Sequence, residues 1–298
     1  MPEGMAWLPG GRFRMGSDRH YPEEAPARMT KVGGFWMDRT PVTNAAFAAF
    51  VAATGYRTVA ETPPDPAAYP DAAPEVLVAG SIVFRPPAGP AGPRFPGDWW
   101  SFAPGACWRV PDGLYAEAAP DHPVVHVAYA DAAAYARWTG KALPTEAEWE
   151  FAAQGGQGGG EFAWGDELTP GGTHMANVWQ GRFPFENLMQ DGYAGTSPVG
   201  SFPANPYGLV DMIGNVWEWT ADLWSLRTRA GAEAPCCAPA DGVGDHVGTG
   251  AIPRRVIKGG SHLCAPSYCR RYRPAARQPQ AVESSTSHIG FRCVKRAG

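Results

Sequence analysis

Glycine and proline punctuate this chain so often that long helices and long strands have no room to form. The 298 residues include 37 Gly and 31 Pro, the residues that set turns and break regular elements. Alone this would suggest low complexity, but 12% of the residues are aromatic and 12 are Trp. Side chains of that size need a core to bury them. A compact, loop-rich fold of short elements follows, long enough to bury a sizeable core. No convincing boundary divides it, so residues 1–298 are expected to form a single domain.

A net charge of −4 excludes a strongly basic nucleic-acid binder. The opening MPEGMAWLPGGRFRMGSD has no apolar run fit for a signal peptide or a membrane span. A cytoplasmic protein with no membrane or nucleic-acid partner is therefore expected. Six cysteines are too few for a disulfide scaffold, and a reducing compartment would keep them as thiols.

Along the chain, residues 6–17 read as two short strands about a Pro-Gly-Gly turn, with Phe13 and Met15 inward. Thr43 opens a helix that carries Phe47, Phe50 and Val51 on one face and stops at Gly55. Residues 61–100 form an excursion with one strand near 81–84, leading to Cys107 and Trp108 in the core. PVVHVA (123–128) alternates as a strand, with His122 and His126 as structural hydrogen-bonding groups at its flanks. A helix follows over 129–139, then a capping box at Thr145 and Glu148 opens a third helix with Trp149 and Phe151. Residues 164–224 read as loops rich in Asn, Asp and Glu, the oxygen-dense kind that suits Ca2+ or simply turn geometry. Residues 225–250, with the vicinal Cys236-Cys237, read as a loop. RRVIKGGS returns as a strand, and 284–295 supply one closing strand.

That returning strand leads into Cys264 and Cys269, five residues apart, with Pro266 between and Arg270, Arg271, Arg273 and Arg277 following. Neighbours on a helical face lie three or four apart, so a proline turn that folds the sulfurs together fits better. Nearby cations favour the thiolate, which attacks, oxidises or ligates metal. Two thiolates make a soft site that selects Cu(I). Zinc asks for more ligands, and only His262 is an obvious third in sequence. Spacing alone leaves two other readings open: buried structural thiols and a redox dithiol.

Taken together, GGRFRMGS, TPVTNAAFAAFVAATGY, HPVVHVAYADAAAYARWTGKALPTEAEWEFAA, ANVWQGRFP, YGLVDMIGNVWEWT, GGSHLCAPSYCRRYRPAAR and HIGFRC occur in order over nearly the whole chain. The chain resembles the formylglycine-generating enzymes, or sulfatase-modifying factors. The resemblance implies an α+β fold, a loop-rich variant of the C-type lectin fold. It implies oxidation, dependent on copper and O2, of the cysteine in a Cys-x-Pro-x-Arg segment of an unfolded sulfatase, giving Cα-formylglycine. On this analogy Cys264 and Cys269 hold Cu(I), and the substrate thiolate joins them. Ser261 and Trp217 match pocket-lining positions, Tyr268 and Arg271 flank the thiols, and His288, where Asn is common, faces substrate. Structural Ca2+ is implied at two sites. One is Asn177, Val178 (carbonyl), Asp191 and Tyr193 (carbonyl). The other is Asp211, Gly214 and Val216 (carbonyls) and Glu218, with Asp211 replacing an expected Asn.

Departures from the family pattern include Ala265, where many members have His. Ala136, Ala153 and Pro274 replace disulfide cysteines of eukaryotic members, which fits a reducing bacterial cytoplasm and leaves Cys293 unpartnered. A monomer is expected. Three other functions compete: a sulfoxide synthase, whose His-x3-His-x-Glu iron motif is missing; a non-catalytic lectin-like paralogue, which would not need the thiols; and a metal-free dithiol oxidoreductase.

Overall fold

The computed structural model describes residues 2–90, 99–158, 160–226 and 252–296; the pair Cys236-Cys237 lies outside them. Within these, β1 (Met5–Leu8), β2 (Gly11–Met15), β3 (Arg28–Val32) and β4 (Phe35–Asp38) precede helix α1 (Asn44–Thr54). Strands β5 (Gly80–Phe84) and β6 (Trp100–Pro104) lead to helices α2 (Tyr129–Trp138) and α3 (Glu146–Ala153). Then come β7 (Trp217–Leu223), β8 (Arg254–Lys258), β9 (Arg277–Ala281), β10 (Ile289–Gly290) and β11 (Val294–Arg296). The result is an α+β architecture of short elements.

The sheet that carries the thiols has the order β10-β7-β8-β9, parallel only between β10 and β7. A second sheet has the order β1-β4-β11, and β2-β3 and β5-β6 are two-stranded ribbons. The helices begin and end where the sequence places them. Thr43 Oγ1 accepts from Ala46 N at 3.2 Å, and Gly55 closes α1 in the left-handed region. Thr145 and Glu148 form the reciprocal capping box of α3, and Trp149 on that helix is fully buried. No helix among the described residues is long and apolar enough to cross a membrane.

Three segments differ from expectation. Residues 123–128 are not a strand. Val124, Val125 and Val127 are all buried, not alternating, and His126 adopts φ 58, which breaks an extended run. Its backbone bonds go singly to other segments, Val124 N to Val42 O and His126 N to Thr286 O. Residues 217–223 are the inner strand β7, not loop. Trp217, Glu218, Trp219 and Thr220 are buried on both faces, so the alternation that marks a one-sided strand is missing. The closing segment splits into β10 and β11, which belong to different sheets, because Arg292 between them turns inward onto Glu218. Strands β3, β4, β6 and β9 add to the expected set. Pro279 hides β9 in the sequence, but β9 is an edge strand, where proline is tolerated.

The expected hydrogen-bonding roles of two histidines are present: His122 Nδ1 meets Thr196 Oγ1 and His126 Nδ1 meets Ser81 Oγ, both at 2.8 Å. Burial holds His126 down at about 4. It is therefore neutral when folded and protonated when unfolded as pH falls below its ordinary value of 6.5. Its share of stability is full above that value and is lost as pH falls toward 4. The loss is on the order of 3 kcal/mol. The expected result is a His126 imidazole resonance that does not titrate between about pH 8 and pH 5; titration near the ordinary value would contradict this placement.

Candidate functional site

Strands β8 and β9 are antiparallel neighbours, and the chain between them carries both cysteines. Gly259 and Gly260 start that excursion at φ 96 and φ 73. A Cβ on Gly260 would lie 3.0 Å from Arg271 O and Tyr272 N, so glycine lets the outgoing and returning arms touch. Beyond it, Cys264 N donates to Ser261 O at 2.9 Å, and Tyr268 N and Cys269 N both donate to Ala265 O. This turn about Pro266 folds the thiols together as the spacing suggested. The sulfurs stand 3.2 Å apart and share a hydrogen bond, and both thiols are free and buried.

Their electrostatics are unequal. Cys264 is pushed well up, by burial first and then by its neighbour Cys269. Cys269 is lowered to about 7, chiefly by the hydrogen bond with Cys264 and, against the cost of burial, by the Arg271 guanidinium. Arg271 Nη1 lies 3.8 Å from Cys269 Sγ. So Cys264 acts as a thiol donor beside a sulfur that readily carries charge.

Arg271 is itself held by groups that sequence reasoning missed. Glu23 Oε1 accepts from its Nη2 at 2.6 Å, and the guanidinium carbon lies 3.8 Å from the Tyr21 ring centroid. Next to them, Glu24 pairs with the fully buried Arg273. Acidic residues at 23 and 24 ahead of an arginine run were the only signal, and nothing local links segments so far apart.

Ser261 N approaches Cys264 Sγ at 3.4 Å, while Ser261 Oγ accepts from Leu263 N at 3.2 Å. Tyr268 is 44% exposed and stacks on Phe183 with ring centroids 4.3 Å apart. Trp217 is buried in the same core cluster as both cysteines, and its backbone N–H donates to His288 O at 2.9 Å. His288 Nδ1 bonds Thr286 Oγ1 at 2.8 Å and its ring packs 4.7 Å from Trp100; burial lowers it to about 3. His262 does not join the sulfurs as a third ligand. Its Nδ1 is tied to Asn215 O at 2.9 Å, and among the described residues no three His, Cys, Asp or Glu side chains converge as a metal group.

The two oxygen sets differ. In the first, Asp191 Oδ2 accepts from Val178 N at 3.1 Å and Oδ1 from Tyr193 N at 3.1 Å, which gathers three of the four expected residues. Asn177 adjoins them and donates through Nδ2 to Gly195 O at 2.8 Å. The Gln180 amide, unforeseen from sequence, bridges Asp191 Oδ2 and Val178 O. In the second set, Asp211 Oδ2 accepts from Gly200 N at 2.7 Å and burial raises Asp211 to about 6. Glu218 does not fit a cation as placed. Arg292 makes three contacts to its oxygens and Trp149 Nε1 a fourth, which fills the roughly four acceptor sites of a carboxylate. Gly214 and Val216 line the turn beside it, Gly214 at φ 76.

Comparison with known proteins adds the following. The profile of the sulfatase-modifying factor enzyme 1-like domain matches residues 1–297. A formylglycine-generating enzyme of Mycobacterium tuberculosis is 56% identical over 292 residues, covering 96% of each chain. One of Thermomonospora curvata is 47% identical over 303 residues, 98% of this chain and 93% of that one. The solved structure of PvdO from Pseudomonas aeruginosa superposes with a TM-score of 0.63 at 27% identity, covering 98% of this chain and 94% of that one. The architecture is the C-type lectin variant that the sequence implies.

Proposed function

This chain belongs to the sulfatase-modifying factor enzyme 1-like family, and from that premise we propose that it is a formylglycine-generating enzyme. It acts as an oxidoreductase on the cysteine of a Cys-x-Pro-x-Arg segment in an unfolded sulfatase, with O2 as acceptor and copper as cofactor. The observation that carries this reading is the buried, unbonded pair Cys264 and Cys269, 3.2 Å apart. Two sulfurs on which no carboxylate or imidazole converges among the described residues fit a soft cation of low coordination number. Held by Cys264 and Cys269, copper would supply the one-electron chemistry with O2 that two thiols lack.

The residues around the pair set its conditions. Arg271 favours negative charge at Cys269, and the Ser261 N–H steadies Cys264 Sγ. Burial of both sulfurs keeps bulk water away, which strengthens each electrostatic contact there. Tyr268, half exposed beside Cys269, marks the side from which a polypeptide reaches the thiols. Calcium is proposed at the first oxygen set alone, where it would displace the Gln180 amide. The free state of Cys107, Cys264, Cys269 and Cys293 suits a reducing cytoplasm.

The test is mass spectrometry of a Leu-Cys-Thr-Pro-Ser-Arg peptide incubated in air with copper-loaded protein. Exchange of CH2–SH for CHO removes about 18 Da, whereas ordinary sulfur oxidation adds mass. The loss is expected with copper and to vanish under a copper chelator or nitrogen. An unchanged peptide with loaded protein would favour a non-catalytic paralogue; a mixed disulfide without aldehyde would favour the dithiol oxidoreductase.

A further inference from the structure

Four arginines follow the thiols, and three of them pair away from the sulfurs: Arg270 with Glu161, Arg273 with Glu24 and Arg277 with Glu146. Arg271 instead reaches Cys269 Sγ, at 3.8 Å. Its guanidinium sits at the end of a long, partly exposed side chain, which gives up much rotamer freedom to stay in one place. Something must hold it there.

The hold comes from the other end of the chain. Pro22–Glu24 form one 3-10 turn, in which Ala25 N donates to Pro22 O at 3.2 Å. Proline opens such a turn readily because its φ is already set. Successive carboxylates on the turn meet alternate arginines, Glu23 with Arg271 and Glu24 with Arg273. Glu23 Oε1 accepts from Arg271 Nε at 3.3 Å and from Nη2 at 2.6 Å, which leaves Nη1 for the sulfur. The Tyr21 ring supports the guanidinium from one face, and its Oη accepts from Arg270 N at 3.1 Å. Backbone bonds anchor the turn as well: Arg277 Nη1 donates to Glu23 O and Ser17 N to Glu24 O, both at 3.2 Å. The place of the turn therefore does not depend on the Glu23 side chain.

We propose that Glu23 is a positioning residue that sets the affinity of the thiol pair for Cu(I), by holding the Arg271 guanidinium against Cys269 Sγ. This rests on the copper reading of Cys264 and Cys269. Two thiolates around a singly charged cation carry a net negative charge, and burial makes an uncompensated charge costly. A guanidinium fixed beside Cys269 offsets that cost. Glu23 itself has the wrong sign for the task, so its contribution is geometric: the carboxylate fixes the arginine, and the arginine meets the sulfur. Outer groups that orient a metal's surroundings in this way typically change affinity by about 10–100-fold.

The experiment is competition for Cu(I) between full-length protein and the chelator bicinchoninate, under nitrogen with a reductant, read from the colour of the chelator complex. Glu23→Ala should weaken copper binding about tenfold or more. Glu23→Gln keeps an oxygen acceptor for Arg271 and should restore binding to within about threefold of wild type. In an Arg271→Ala background, Glu23→Ala should change nothing further, because the arginine is its route to the sulfur. Thermal melts check that each variant is folded. Should Glu23→Ala melt early, Glu23→Asp, which keeps the charge but shortens the reach, takes its place with the same expected loss. Tighter copper binding by both Glu23→Gln and Glu23→Ala would show that the charge of Glu23 acts instead of its hold, and would overturn the proposal. So would wild-type affinity in every variant, with the copper reading left standing. If wild type itself draws no Cu(I) from the chelator, the copper reading falls, and the role of Glu23 with it.

Discussion

Exchange of either Cys264 or Cys269 for Ser should end aldehyde formation, with a loss of at least about a thousand-fold, while the protein stays folded. Serine keeps the size of the side chain but offers a hard oxygen where a soft sulfur is needed. It also removes one half of the shared hydrogen bond, at 3.2 Å, that helps lower Cys269. The two thiols act as one unit, so the double variant should be no worse than either single one, as is usual for groups that share a step. Peptide mass spectrometry reads the activity and a thermal melt reads the fold. Full turnover by Cys269→Ser would refute the two-thiol centre. Turnover by Cys264→Ser with loss in Cys269→Ser would point instead to a single nucleophilic thiol.

The largest effect on stability is expected from Arg292→Met. Arg292 is fully buried; its Nη2 donates to Val210 O and Asp211 O and its Nη1 to Asp38 O and Arg39 O, beside the three contacts to Glu218. Methionine fills much of the space but leaves a buried carboxylate without its cation, which costs about 3–5 kcal/mol. For a chain of this size that lowers the melting temperature by roughly 10 °C. Pairing it with Glu218→Gln should recover part of the loss, because no lone charge then remains. A urea midpoint for Arg292→Met equal to wild type would show that the pair contributes nothing net.

Local chemistry wrote itself plainly into the sequence. Thr43 and Gly55, Thr145 and Glu148, and the turn about Pro266 act within a few residues, and each sits where its side chain dictates. Aromatics set among frequent turns made a compact fold of short elements legible; the α+β class came with the family resemblance. What stayed hidden depends on partners far along the chain. Strand β7 is buried on both faces by α3 and its sheet neighbours, so its residues do not alternate. Segment 123–128 alternates in letters, yet its bonds go to Val42 and Thr286 and no sheet forms. At the site, the thiols announce themselves by spacing and flanking arginines. The clamp of Tyr21 and Glu23 on Arg271 and the Gln180 bridge do not, because sequence cannot say which distant polar groups meet.

Strand β4 lies between β1 and β11, pairing Met37 with Ala6 on one edge and with Val294 on the other. During synthesis the first of these edges can be filled at once, whereas the second waits until Val294–Arg296 has been made, more than 250 residues after β4. Until then Phe35 and Met37 belong to an open sheet edge, a template for unwanted pairing with other chains. The nascent protein is thus exposed to aggregation from the completion of β4 until β11 emerges. Ribosome pausing or chaperone capture within that interval should affect its yield more than similar events after β11 has paired.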